Sequence, residues 1–147
     1  LSTFLSYINQ TFQINIIWDF DLSWGLSKNN NGFDYKGFII ESELSQHMPF
    51  FWNQLWKNQS FQKKIKERYS ELRYNTLSND SIENIINNDY AELHPSIKYN
   101  FEKWQILNKD IWPNKFIFES HQDEVNYLKE WTFKRLQWLD SEWMSKN

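Results

Sequence analysis

Asp19 and Asp21 are the pair of side chains whose type and spacing suggest chemistry. They close an alternating stretch two residues apart. On an extended strand both project from one face, with Cα atoms roughly 6–7 Å apart. Two carboxylates so placed repel each other unless a cation lies between or beside them. Hard oxygen donors suit Mg²⁺ or Mn²⁺ rather than zinc. Trp18, Phe20 and Leu22 fall on the opposite face and would root the strand in a core. In the other reading one aspartate caps the following turn and its partner is simply hydrated, for a D-x-D pair is common. The setting adds weight to the metal reading: the pair ends a strand and enters a Ser/Gly loop, where phosphate-handling enzymes often hold cations.

Most other chemistries are absent. The 147 residues include no cysteine, which removes disulfides, zinc–thiolate sites and cysteine nucleophiles. The three histidines, His47, His94 and His121, are too far apart for a zinc-helix motif. Three glycines, Gly25, Gly32 and Gly37, form neither a Walker A loop nor a dinucleotide fingerprint, and no GxSxG elbow occurs. A net charge of −3 argues against a dedicated nucleic-acid partner. No apolar run reaches membrane-spanning length, and no signal peptide or initiator methionine precedes Leu1, so the chain reads as a mature product or a fragment.

The elements that must position the aspartates follow from periodicity. Thr3 to Ile8 and the alternating run Phe12 to Leu22 predict two strands, with Asn9, Gln10 and Thr11 turning between them. Residues 23–37 predict a loop with a polar tip at Lys28 to Gly32. From Pro49 the pattern turns helical. Pro49 opens one helix to about Lys57, and Ser60 caps a second through the stripe Phe61, Ile65, Tyr69 and Leu72. Asn79 or Asp80 caps a third through Ile82, Ile85 and Ile86, and Pro95 opens a fourth through Ile97, Phe101, Trp104 and Ile106 or Leu107. A last helix spans about Gln122 to Met144, with Val125, Leu128, Thr132, Leu136, Leu139 and Trp143 inward. Nine Trp, twelve Phe and seven Tyr predict a core built largely from rings, which is also the reading preferred for Trp52, Trp56 and Trp112 over sugar-stacking platforms. Strands in one block and helices in another predict an α+β fold: a single domain over 1–147, with hairpin and acidic loop in 1–25 and the helical part in 49–147. Trp18, Phe20, Trp131 and Leu136 are expected to share one core.

The run Ile17-Trp18-Asp19-Phe20-Asp21-Leu22-Ser23-Trp24-Gly25 resembles the WDFD-L-x-[FW]-G signature of the CotH kinase family, the spore-coat protein kinases and their relatives. Phe51-Trp52-Asn53-Gln54-Leu55, the helix Lys64 to Arg73, Asn100-Phe101 with Trp104, and the segments Glu124 to Trp131 and Arg135 to Asp140 are similar to its later elements. The resemblance implies the C-terminal lobe of an atypical protein-kinase-like fold. It implies that Asp19-Phe20-Asp21 corresponds to the kinase D-F-G. Asp19 would bind the Mg²⁺ or Mn²⁺ that bridges ATP phosphates, with Asp21 as a second ligand in the glycine's place. In that family the nucleotide lysine and the catalytic-loop Asp and Asn lie upstream of the hairpin, so no catalytic residue is expected within this chain. Lys63, Lys64 and Lys66 are read as a solvated helix face.

Two functions follow. One is the metal-binding, substrate-side portion of an ATP-dependent kinase that phosphorylates Ser or Thr in surface or spore-coat proteins. The other is a non-catalytic adhesin or a carbohydrate- or protein-binding module of the same family. The family implies a cell or spore surface, or a secreted location.

Overall fold

The computed structural model describes residues 3–144. It is α+β, a two-stranded antiparallel hairpin followed by four helices. The strands are β1 (Thr3–Ile8) and β2 (Thr11–Ile17), joined by Asn9 and Gln10. Both turn residues have positive φ, 50° and 60°, as a two-residue hairpin loop of right-handed twist demands.

β2 ends at Ile17, five residues before the alternation does. The pairing Phe4↔Ile16 and Leu5↔Ile14 leaves Asn15 as the extra residue of a β-bulge. The bulge shifts side-chain parity. Phe12 and Ile14 pair with Tyr7 and Leu5 on one face, while Ile16 pairs with Phe4 on the other. Apolar side chains therefore occupy both faces of the ribbon, and Phe4, Tyr7, Phe12, Ile14 and Ile16 are all exposed. Trp18 (62% exposed) and Phe20 (48%) are exposed too, contrary to the burial expected from alternation. Alternation shows which side chains could share a face, but it does not supply a layer to cover that face. The close contacts of β1 and β2 are with each other rather than with the last helix.

The helices are α1 (Phe50–Lys57), α2 (Gln59–Arg73), α3 (Asn79–Lys103) and α4 (His121–Trp143). Asn58, not Ser60, caps α2; its side-chain oxygen accepts from Phe61 N–H at 3.0 Å. α3 is one helix of 25 residues with Pro95 inside it, rather than two helices. Ile86, Tyr90, Ile97 and Phe101 stay on one half-buried stripe across the proline, because the 11-residue step from 86 to 97 is close to three whole turns. One continuous apolar face thus outweighs the single N–H that proline lacks. Trp104 and Ile106 lie beyond the helix and are exposed. At the start of α4, Ser120 and Asp123 exchange bonds as a capping box.

The packed centre runs along α4, against α2, α3 and the loop at Gly25. Tyr69, Val125, Trp131 and Leu136 are buried, as the helical stripes require. The Tyr69 hydroxyl donates to Asp140 Oδ1 at 2.7 Å, and Arg73 Nε donates to the same carboxylate at 3.0 Å. Desolvation and the Asp140 carboxylate push the Tyr69 phenol well above its ordinary range. Rings fill the remainder. Phe38 meets Trp56, Trp138 and Trp143 at centroid distances of 5.0, 4.8 and 5.1 Å. Trp56 also donates Nε1–H to Glu41, which places it within this cluster. Trp112 is exposed. Lys63, Lys64 and Lys66 form a solvated face, with Lys63 paired to Glu67. The molecule exposes 11336 Å², against about 8,100 Å² for a compact monomer of its mass. No helix among the described residues is long and apolar enough to cross a membrane.

Candidate metal loop and the helix that holds it

The acidic pair sits on a turn rather than on a strand. After Ile17 the backbone breaks at Asp19, whose φ is 61°, in the left-handed region. Aspartate enters that region more readily than most side chains, and non-glycine residues held there concentrate at functional sites. Phe20 follows in the bridge region (φ −96°, ψ 0°), and Asp21–Ser23 form one 3₁₀ turn closed by Ser23 N–H donating to Phe20 C=O at 2.9 Å. The i, i+2 strand geometry therefore does not relate the two carboxylates; a chain reversal does. Both residues are solvent-exposed. Their oxygens suit a hard divalent ion but supply only part of a shell. Among the described residues no group of three or more His, Asp or Glu converges to complete it. A cation here would take its remaining ligands from water or phosphate.

The loop after this turn is clamped to α4. Gly25 has φ 83°, and a Cβ on it would lie 2.4 Å from Trp131 Cδ1, so only glycine fits against that ring. Tyr127 Oη donates to Gly25 C=O at 2.7 Å. Trp131 Nε1 donates to Phe33 C=O at 2.9 Å. Arg135 donates to Tyr35 C=O at 2.9 Å and Gly37 C=O at 2.8 Å, with its guanidinium 4.6 Å from the Trp138 ring. Burial lowers the pKa of that guanidinium from its ordinary value. Tyr127, Trp131 and Arg135 are spaced four apart, so one helical row of polar tips fixes residues 25–37. The inward stripe read from the sequence places Trp131 in the core and gives Tyr127 and Arg135 no role at the site. The i, i+4, i+8 recurrence of side chains with both an apolar body and a donor was the available signal. On its other side the loop joins residues 113–115: Lys28 N–H donates to Pro113 C=O, and Lys115 N–H to Leu26 C=O. The Trp112–Pro113 peptide is cis.

Beside the acidic turn, an apolar cleft of about 440 Å³ opens between the Asp21–Leu26 segment, α3 and α4. Asp21 and Glu124 are the charged residues on its lining. Burial raises the Glu124 carboxyl above its ordinary pKa, partly opposed by His121.

The profile of the family described as CotH kinase protein matches residues 4–139, from β1 to near the end of α4. The chain belongs to the CotH kinase protein family. Neither the curated proteins nor the solved structures contain a match to it. As a CotH-family chain it carries the WDFD segment on a strained turn and the following Trp24-Gly25 under the α4 clamp. The signature thus spans both the exposed carboxylates and the Gly25 anchor that follows them.

Proposed function

We propose that this chain is the metal-binding, substrate-side portion of a CotH-family protein Ser/Thr kinase, with Asp19 and Asp21 as the ligands of Mg²⁺ or Mn²⁺ bound with ATP. The observation that carries this is the left-handed backbone of Asp19 at the strand exit, inside the WDFD segment, with Asp21 one chain reversal away. When bound, the metal–nucleotide supplies charge neutralisation on the transferred phosphoryl group. Asp19 and Asp21 hold hard-oxygen positions for it. Gly25, Tyr127 and Trp131 keep the turn in place. The reading extends to the lobe of a kinase-like fold, a Ser- or Thr-bearing surface or spore-coat protein as acceptor, and an upstream lysine and catalytic-loop Asp and Asn that complete the domain.

Two arms test it. In the chain itself, Mn²⁺ should broaden NMR signals of residues 18–24 first, and Asp19→Asn should abolish that effect. Asn tolerates the left-handed backbone, so the change removes charge with little strain. Broadening strongest at Glu41 and Glu43 or along α4 would overturn the site. In a longer chain with the upstream residues, Asp19→Asn should remove most phosphate incorporation from ATP into a Ser-rich protein, and Asp21→Asn should have a milder effect. Full activity of Asp19→Asn there would overturn the metal role of Asp19, robust transfer by the 147-residue chain alone would overturn the placing of the catalytic residues upstream, and no transfer by the longer wild-type chain would overturn the kinase reading in favour of a binding module. The exposed rings of Trp18, Trp24 and Trp112 are what favour that second reading.

A further inference from the structure

The cleft beside the acidic turn is a second feature of this region, and the metal does not account for it. α3 contributes Ile82, Ile85 and Ile86 to its lining and α4 contributes Tyr127 and Leu128, joined by Phe118 and Trp24. Ile85 and Trp24 are about half exposed, 50% and 47%, although both are large apolar side chains. The volume falls in the range of ligand sites, and apolar walls with a few convergent polar groups are the usual make-up of such sites. Its charged lining residues are both acidic, Asp21 of the metal turn and Glu124 on α4, with no cation among them. No hydrogen bond or ion pair to another side chain engages either carboxylate among the described residues; His121 acts on Glu124 only through its charge, and Lys129 is bonded to Asn87 and close to Glu83. A ligand complementary to this lining carries an apolar body and a cationic head.

We propose that the cleft binds a peptide segment in which a large apolar residue adjoins a lysine or arginine, the apolar side chain between α3 and α4 and the cation at Asp21 and Glu124. This deepens the kinase reading and rests on it for the claim that the peptide is the acceptor protein. Asp21 belongs to both the metal turn and the cleft, so a peptide seated here lies beside the phosphoryl donor. The cleft is open to solvent along one side and so admits a side chain whose backbone remains outside.

The test is fluorescence anisotropy of a labelled octapeptide with a Leu-Arg pair in a Gly/Ser background, measured in EDTA without nucleotide. Saturable binding is expected. Replacing Leu by Ser, or Arg by Glu, in the peptide should weaken it by about tenfold or more, as loss of one buried side chain or one charge-assisted bond implies. Ile85→Lys should abolish binding; the position is half exposed, and far-UV circular dichroism checks that the helices persist. Glu124→Gln should weaken the Leu-Arg peptide but not a Leu-norleucine one. Equal binding of all peptides, no saturable binding, or unchanged binding by Ile85→Lys would overturn the proposal. Full displacement by decylamine at the peptide's own affinity would also overturn it, making a free amphiphilic amine the occupant. Because no metal is present, peptide binding that survives a failed Mn²⁺ titration would sink the kinase reading alone.

Discussion

Replacing Gly25 by alanine should be among the most damaging single-methyl changes in this chain. Two costs combine. At φ 83° an L-residue meets the left-handed penalty, about 1–2 kcal/mol. The added Cβ also falls 2.4–2.6 Å from three ring atoms of Trp131, a buried side chain whose indole N–H is committed to Phe33. Overpacking of this kind costs about 1–3 kcal/mol. The total is about 2–5 kcal/mol. Gly37 is an internal control, with the same φ of 83° and nothing within 4 Å of an added Cβ. Gly37→Ala should therefore cost only the backbone part, about 1–2 kcal/mol. Urea unfolding of both variants, followed by circular dichroism at 222 nm, measures the difference. Equal losses within about 0.5 kcal/mol would show that Trp131 does not press on Gly25, and the clamp would have to be abandoned.

Leu136→Ala should cost about 2–5 kcal/mol by opening the buried seam between α2 and α4; a loss below about 0.5 kcal/mol would displace that helix face. Glu124 has its folded-state pKa raised by burial, so the folded form holds its proton to higher pH than the unfolded one. Stability should then fall as pH rises from the ordinary glutamate range through the raised value. Glu124→Gln should remove that decline and be the more stable protein at neutral pH, with the advantage vanishing in acid; thermal melts at several pH values decide it. Gln10→Gly should relieve a left-handed turn residue and raise hydrogen-exchange protection in β1 and β2 by roughly fivefold, corresponding to about 1 kcal/mol. Unchanged protection would mean the turn does not limit the hairpin.

The helical part was legible because its stripes are long. Phe61 to Leu72 and Val125 to Trp143 repeat at helical spacing over several turns, and packing followed them. Cap positions slipped by a residue or two, as at Asn58, because several adjacent polar side chains could each accept the first N–H. Pro95 misled because a proline that starts a helix and one that sits inside it have the same local signature. Only the phase of Ile86 against Ile97 separates the two cases. At the site, the identity of the aspartates was readable but their geometry was not. The bulge at Asn15 and the left-handed turn at Asp19 leave no trace in an alternating pattern. The clamp of Tyr127, Trp131 and Arg135 needed knowledge of which carbonyls lay opposite.

The large exposed area has a calorimetric consequence. An unfolded chain of this mass exposes about 26,000 Å², so folding hides about 15,000 Å² where a compact chain would hide about 18,000 Å². The heat-capacity increment of unfolding follows hidden apolar area and is about 2 kcal/mol/K for a compact chain of this length. Here it should be nearer 1.6 kcal/mol/K. The curve of stability against temperature is then flatter than for a compact chain. Cooling and warming around its maximum change the folded population less, and a midpoint measured hot extrapolates to room temperature with a smaller correction.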